Sequence, residues 1–261
     1  MDDQTLQQAA SLLWKNWQAE ATLSEIPDPI RPRSREEGYR IGAKIAELSG
    51  QAVVGWKIAA TSVAGQNHIN VDGPLGGRLL SGRLLPPNGS AKLGQNIMRV
   101  AEAEFAFTFA RSLPRRSEPY HQSEVMDAVE SLHLSIEIPD SRYRDFTMVG
   151  APSLIADTAC ASWLMLGPVV QAPWRNVDLS EHGIMVHLNR QKVAEGRGKA
   201  ALGDPRIVLT WLVNEVCRYA DGIQASDFVT TGTCVVPVAI KASDRLLVDY
   251  GDFGSMLIDI L

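Results

Sequence analysis

Arg99–Ala110 reads RVAEAEFAFTFA. Successive side chains of a strand point to opposite sides, so Glu102, Glu104, Ala106 and Thr108 share one face and Ala103, Phe105, Phe107 and Phe109 the other. A second alternating stretch, Leu132–Ile138 (LHLSIEI), places Leu132, Leu134, Ile136 and Ile138 on an apolar face and leaves Glu137 with His133 and Ser135. Laid side by side, the two strands bring Glu102, Glu104 and Glu137 together. Such a cluster repels itself unless protons or a cation intervene, and an all-oxygen ligand set suits a hard ion such as Mg2+. The same alternation fits the wet face of a half-buried sheet, and spacing alone favours that commoner outcome.

The chain around this pair has 261 residues, 45% of them hydrophobic, enough to bury a large core. The expected division is an N-terminal helical segment, 1–50, and a metal-binding domain, 51–261. A formal net charge of -5 offers no general attraction to nucleic acid or to an anionic membrane. The opening MDDQ lacks the basic-then-apolar pattern of a signal peptide, and no run of about 18 apolar residues follows. A cytoplasmic protein that binds neither nucleic acid nor membrane is expected. Cys160, Cys217 and Cys234 have no CxxC spacing and read as packed thiols.

Leu6, Ala9, Ala10, Leu13 and Trp17 recur at helical spacing to about Ala21. Three prolines interrupt Ile26–Arg33, and Ser34 with Glu37 opens a second helix that Gly50 closes. Ala52–Ile58 (AVVGWKI) reads as a strand carrying Lys57 among apolar neighbours. Burial there would lower the lysine's pKa. The residues alone favour a lysine whose stem covers Trp56 and whose ammonium stays in water. Thr61 and Ser62 offer caps for a short helix through Asn67, Ser123 opens another through about Ser131, and Asp204-Pro205 starts a third that runs to Tyr219. Asp140 and Arg142 suggest a local surface pair, and the small-residue run IADTACAS permits close backbone approach. The last forty residues are short strands between turns, so the order of elements indicates α+β rather than a doubly wound sheet.

Read together, GWKIAATS (Gly55–Ser62), EAEFAF (Glu102–Phe107), EIPDSRY (Glu137–Tyr143), IADTACAS (Ile155–Ser162), KAALGDP ending at Pro205, and the later TTGT and VVPV resemble the 2-hydroxypentadienoate hydratase and 4-oxalocrotonate decarboxylase group of the fumarylacetoacetate hydrolase superfamily. The resemblance runs in order from about Gly55 to the end. It implies the C-terminal-domain-like fold of that superfamily, a strongly curved mixed sheet with a long helix. It implies Mg2+ or Mn2+ held by Glu102, Glu104 and Glu137, with Lys57 contacting the carboxylate of a 2-oxo acid or moving a proton. Hydration of a dienoate is the expected reaction. Decarboxylation, carbon–carbon hydrolysis of an acylpyruvate with His68 as the nearest base, and an inactive binding partner of a related enzyme are the alternatives.

Two departures bear on the reaction. Hydratases of this group carry an acid in a P-D-[FY]-G loop, where this chain has Pro74-Leu75-Gly76-Gly77, leaving Asp72 as the nearest acid. The group's D-N-A-S becomes Asp157-Thr158-Ala159-Cys160, which makes Thr158 a candidate catalytic residue and Cys160, with Arg142, a candidate substrate contact. The resemblance also implies a homo-oligomer and permits a complex with a related pathway enzyme.

Overall fold

The computed structural model describes residues 1–261. Helix α1 (Asp3–Gln18) starts at Asp2, whose side chain accepts from the Thr5 amide. Helix α2 (Arg35–Ser49) is capped by Ser34 and ends at Gly50, whose φ of 64° suits glycine. There follow β1 (Val53–Ala59), α3 (Val63–His68), β2 (Leu75–Leu80), β3 (Leu84–Leu85), β4 (Ser90–Ala91) and β5 (Val100–Phe109). Helix α4 (Gln122–Ala128) runs directly into β6 (Val129–Ile138), so the helix expected to reach Ser131 yields three residues to the strand. Beyond lie α5 (Gly150–Ala156), β7 (Trp163–Val169), β8 (Gly183–Leu188), β9 (Gln191–Arg197), α6 (Pro205–Tyr219), β10 (Phe228–Thr230), β11 (Val238–Ala239), β12 (Arg245–Asp249) and β13 (Ser255–Ile260).

The strands form two sheets. The larger has the order β2-β1-β10-β5-β6-β7-β3, with β11 pairing on β5, and the smaller the order β4-β13-β12-β8-β9. The larger sheet is mixed, because β10 runs parallel to β1 and antiparallel to β5. The apolar face of β5 is pressed against the second sheet and its loops. Phe105 meets Tyr250 at 5.8 Å and His182 at 5.7 Å between ring centroids, and Phe107 meets Trp174 at 5.8 Å. Such tilted and edge-on pairs match the ring quadrupoles. Leu209, Leu212, Val213 and Val216 bring the buried side of α6 into the same core.

The N-terminal helices complete a separate cluster. Leu6, Leu13 and Trp17 of α1 and Ile41 and Ile45 of α2 pack with Leu80, Tyr143 and Ala156 of the remaining chain. The linker after α1 is tied on both sides of Tyr143, with the Leu23 amide donating to the Arg142 carbonyl at 2.9 Å and the Arg144 amide to the Leu23 carbonyl at 2.8 Å. No helix is long and apolar enough to cross a membrane.

Candidate metal centre

The β5–β6 register sets Glu102 directly opposite Glu137, and Glu104 opposite Ser135. Directly opposed residues of an antiparallel pair point the same way, so the three carboxylates share one face. An oxygen from each lies within 4.8 Å of the others. Glu104 is 0% exposed and Glu137 1%, which removes the wet-face reading for these two, while Glu102 is half-buried and forms the open side.

Lys57 arrives from two strands away. Flat pairing would put β1 about 14 Å from β6, since β10 and β5 lie between them at about 4.8 Å per step. Instead the Lys57 Nζ lies 3.1 Å from Glu137 Oε1. Strand side chains stand roughly perpendicular to a sheet, so across a flat one these two would not meet; the sheet is strongly curled, with the carboxylates and Lys57 on its inner face. Lys57 is 2% exposed, so the water-facing lysine expected from its neighbours is not what the fold makes. Its Nζ donates to the Ala159 carbonyl at 3.0 Å.

The electrostatics follow from this crowding. Burial pushes the Lys57 ammonium toward its neutral form, but Glu137, Glu102 and Glu104 more than reverse that, and its pKa is raised rather than lowered. Burial, then the charges of Glu137 and Glu102, hold Glu104 well above the usual carboxylate range. Glu137 is pushed up to about 7, by burial opposed by Lys57. Oε2 of Glu137 and Oε1 of Glu104 are buried without a hydrogen-bond partner, and Glu137 Oε1 has only the Lys57 ammonium, 3.1 Å away. Leaving such atoms unpaired is expensive. Three carboxylates and one ammonium sum to a formal charge of −3 + 1 = −2, so a divalent cation balances the site and gives the orphaned oxygens a partner. The residues present fit a hard ion such as Mg2+.

The backbone supplies two anchors that the sequence did not reveal. The Gly232 amide donates to Glu104 Oε2 at 2.9 Å, and a Cβ at that glycine would strike the Thr61 side chain. The other anchor is the Ala159 carbonyl, which sits in a turn where Thr158, Ala159 and Cys160 have φ of 50°, 50° and 61°. Each left-handed non-glycine residue costs roughly 1–2 kcal/mol, and strain of this kind persists only where surroundings over-determine it. Here Asp157 accepts from Ser141 Oγ at 2.8 Å, from the Arg142 amide at 3.0 Å and from Arg142 Nε. Gly77, opposite Lys57 in the β1–β2 register, lies so close beneath the turn that a Cβ would overlap the Thr158 carbonyl oxygen.

A family pattern, Fumarylacetoacetate (FAA) hydrolase C-terminal, matches residues 86–260. The chain belongs to the fumarylacetoacetate hydrolase family. A 2-keto-4-pentenoate hydratase of Paraburkholderia xenovorans (strain LB400) is 28% identical to this family member over 259 residues, covering 98% of this chain and 95% of the relative. A 4-oxalocrotonate decarboxylase of Pseudomonas putida is 30% identical over 210 residues, covering 80% and 78%. The structure of 4-oxalocrotonate decarboxylase from Pseudomonas putida G7, complexed with magnesium and adipate, superposes with a TM-score of 0.90 at 23% identity, covering 100% of this chain and 99% of the other.

In this fumarylacetoacetate hydrolase family member the other expected site residues are distributed unevenly. Cys160 is buried at the end of the turn, near enough for Lys57 to act on its charge, and burial followed by the charge of Asp157 pushes its thiol up to about 12. Arg142 does not make the expected surface pair with the Asp140 carboxylate. It is buried, stacks at 4.0 Å on Trp17, and spends its N–H groups on Asp157, Thr158 Oγ1 and the Asp140 and Ala161 carbonyls. Thr158 is likewise turned away, with Oγ1 accepting from Arg142 and Cγ2 facing Gly42 of α2. Asp72 is exposed in the turn ahead of β2, while Leu75 is fully buried. Exposed His68 lies edge-on to Phe146 at 6.0 Å. Thr230 Oγ1 was missed altogether. It is buried without a partner and, because Thr230 pairs with Ala106, lies on the face of Glu104.

Proposed function

We propose that the chain is a divalent-metal-dependent hydratase that adds water to an unsaturated 2-oxo or 2-hydroxydienoic acid such as 2-hydroxypenta-2,4-dienoate. The observation that carries this reading is the buried set of three glutamates with orphaned oxygens and one lysine. The near end-to-end likeness to 2-keto-4-pentenoate hydratases supports it. Glu102, Glu104 and Glu137 would hold Mg2+ or Mn2+, which supplies Lewis-acid polarisation of the substrate's 2-oxygen. Gly232 fixes Glu104 through its amide. The Lys57 ammonium, with one N–H on Ala159 and another side facing Glu137, keeps a third donor for an anionic substrate oxygen or for a proton to be delivered. Half-buried Glu102 is the partly exposed member of the set, and substrate would reach the metal from its side.

Decarboxylation in the manner of 4-oxalocrotonate decarboxylase is favoured by one specific observation. Leu75 stands where the resemblance would place an acid to activate water, and the acid nearest in sequence, Asp72, is exposed; loss of carbon dioxide needs no activated water. The two reactions separate when purified, metal-stripped chain is given 2-hydroxypenta-2,4-dienoate and 2-oxo-3-hexenedioate with Mg2+ added or withheld. Magnesium-dependent loss of dienoate absorbance without carbon dioxide is the expected result. Carbon dioxide from the hexenedioate makes the chain a decarboxylase, and Mg2+ binding without turnover of either moves the search to other 2-oxo acids or to a partner protein. The reading extends to a homo-oligomer acting in the cytoplasm, with a related pathway enzyme as a possible associate.

A further inference from the structure

The geometry around the left-handed turn points to a positioning device for Lys57: we propose that Asp157, gripped by Ser141 and Arg142, holds the Thr158–Cys160 turn in a shape that aims the Ala159 carbonyl at Lys57 and thereby sets the ammonium against Glu137. The inference rests on the site reading above in assigning Lys57 a role, but its physical content is the link from Asp157 to Nζ. Three independent sets of contacts converge on the turn. From one side Asp157 accepts from Ser141 Oγ at 2.8 Å and from the Arg142 amide at 3.0 Å. Arg142 Nη1 bridges the flanking chain, donating to the Asp140 carbonyl at 3.0 Å and the Ala161 carbonyl at 2.9 Å, while Nη2 reaches the Asp157 carbonyl and Thr158 Oγ1. From below, Gly77 admits the Thr158 carbonyl where any side chain would collide with it. At the far end, Ala159 receives Nζ at 3.0 Å, the one hydrogen bond that Lys57 makes.

Without this acceptor, the flexible lysine stem would have no hydrogen bond to choose among rotamers, and attraction to three carboxylates would not select Glu137 over the others. The turn therefore does for Lys57 what the sheet register does for the glutamates. Trp17 of α1 stacks on the outer face of the Arg142 guanidinium at 4.0 Å, which extends the support to the N-terminal helix. Asp157, Ser141 and Arg142 are positioning residues, and none of them bonds to Lys57 or to a carboxylate of the cluster.

The test uses Ala159→Gly in the full chain, because glycine adopts the left-handed conformation without strain, keeps the carbonyl and frees the backbone to leave it. Lys57 accessibility is read without substrate, as the rate of reductive methylation of its Nζ by formaldehyde and a borohydride, followed by peptide mass. Methylation at Lys57 is expected to rise at least about tenfold with the melting temperature held within about 3 °C, while Mg2+ binding by calorimetry stays unchanged. Turnover should show kcat falling with KM constant. Ser141→Ala, which removes one donor to Asp157, should move both readouts the same way by less. Unchanged methylation in folded Ser141→Ala overturns the proposal, because that variant is the one that loosens the grip on Asp157. So does a rise accompanied by a large fall in melting temperature, since general loosening explains it. Should the parent chain turn over neither acid, the functional reading fails while the methylation comparison still decides this one.

Discussion

Glu104 concentrates the logic of the site in one residue. It is fully buried, its Oε2 is committed to the Gly232 amide, and its Oε1 has no partner in the chain. Glu104→Gln removes a charge that its neighbours repel, so the metal-free variant is expected to melt no lower than the parent. Magnesium should no longer raise its melting temperature, and metal-dependent turnover should vanish; turnover at the parent's rate would remove Glu104 from the ligand set. Lys57→Met should leave Mg2+ binding measurable by calorimetry while lowering turnover by at least about 100-fold, the contribution ordinarily made by a positioned proton donor or acceptor. At this scale the sequence was informative about charge and silent about direction. Alternation placed Glu102, Glu104 and Glu137 on one face. Nothing in AVVGWKI said that the sheet would curl far enough to bring Lys57 to Glu137, and Arg142 carried no mark that its partner would be Asp157 rather than Asp140. Those partners are remote along the chain or chosen by a turn whose φ values no propensity favours.

Among the elements, the contact between β2 and the Thr158–Cys160 turn is the tightest constraint near the site. Gly77→Ala places a methyl on the Thr158 carbonyl oxygen, and neither backbone can retreat without breaking the β1–β2 pairing or the Asp157 grip. A loss of about 2 kcal/mol or more in denaturant unfolding is expected, with faster methylation of Lys57 as the turn lifts. The caps and periodicities of α1, α2 and α6 were legible because each depends on residues within one turn, such as Ser34 and Glu37 or Asp204 and Pro205. The start of β6 was not. Val129–Ser131 lies at the end of a helical run, and its pairing with Phe109 and Thr108 decides the matter in favour of strand. Similarly, the C-terminal stretch FVTTGT yields only three residues of regular strand, because beyond Thr230 the Thr231 and Cys234 amides still bond to β5 while Gly232 between them turns its amide to Glu104.

For the whole molecule, the site makes folding stability depend on proton and metal together. Glu137 titrates near 4.5 when solvated and at about 7 in the metal-free fold, so between those values the folded chain binds more protons than the unfolded one. Its contribution is therefore destabilising above pH 7 and is relieved as pH falls toward 4.5. The metal-free protein is expected to melt at higher temperature at pH 5.5 than at pH 8, and Mg2+ should raise the melting temperature most at pH 8, where protons no longer compete. A scan of melting temperature against pH with and without Mg2+ checks both signs; an apo protein equally stable across that window would mean that the carboxylates share less field than their spacing indicates.

The place of β10 in the larger sheet has a consequence for how the molecule comes into being. Phe228–Thr230 is among the last segments to be synthesised, yet it lies between β1 and β5, joining a parallel neighbour on one side to an antiparallel one on the other. Contacts this distant in sequence are closed late and slowly. Until they close, the β5–β6 hairpin can gather its glutamates, but the lysine that offsets them remains on a detached hairpin and Gly232 has not arrived. A nascent chain thus carries an anionic half-site that attracts cations before it can do chemistry. Seating this interior strand is the event that turns a metal-seeking pair of strands into an enzyme, and a chain truncated before Phe228 would carry only the former.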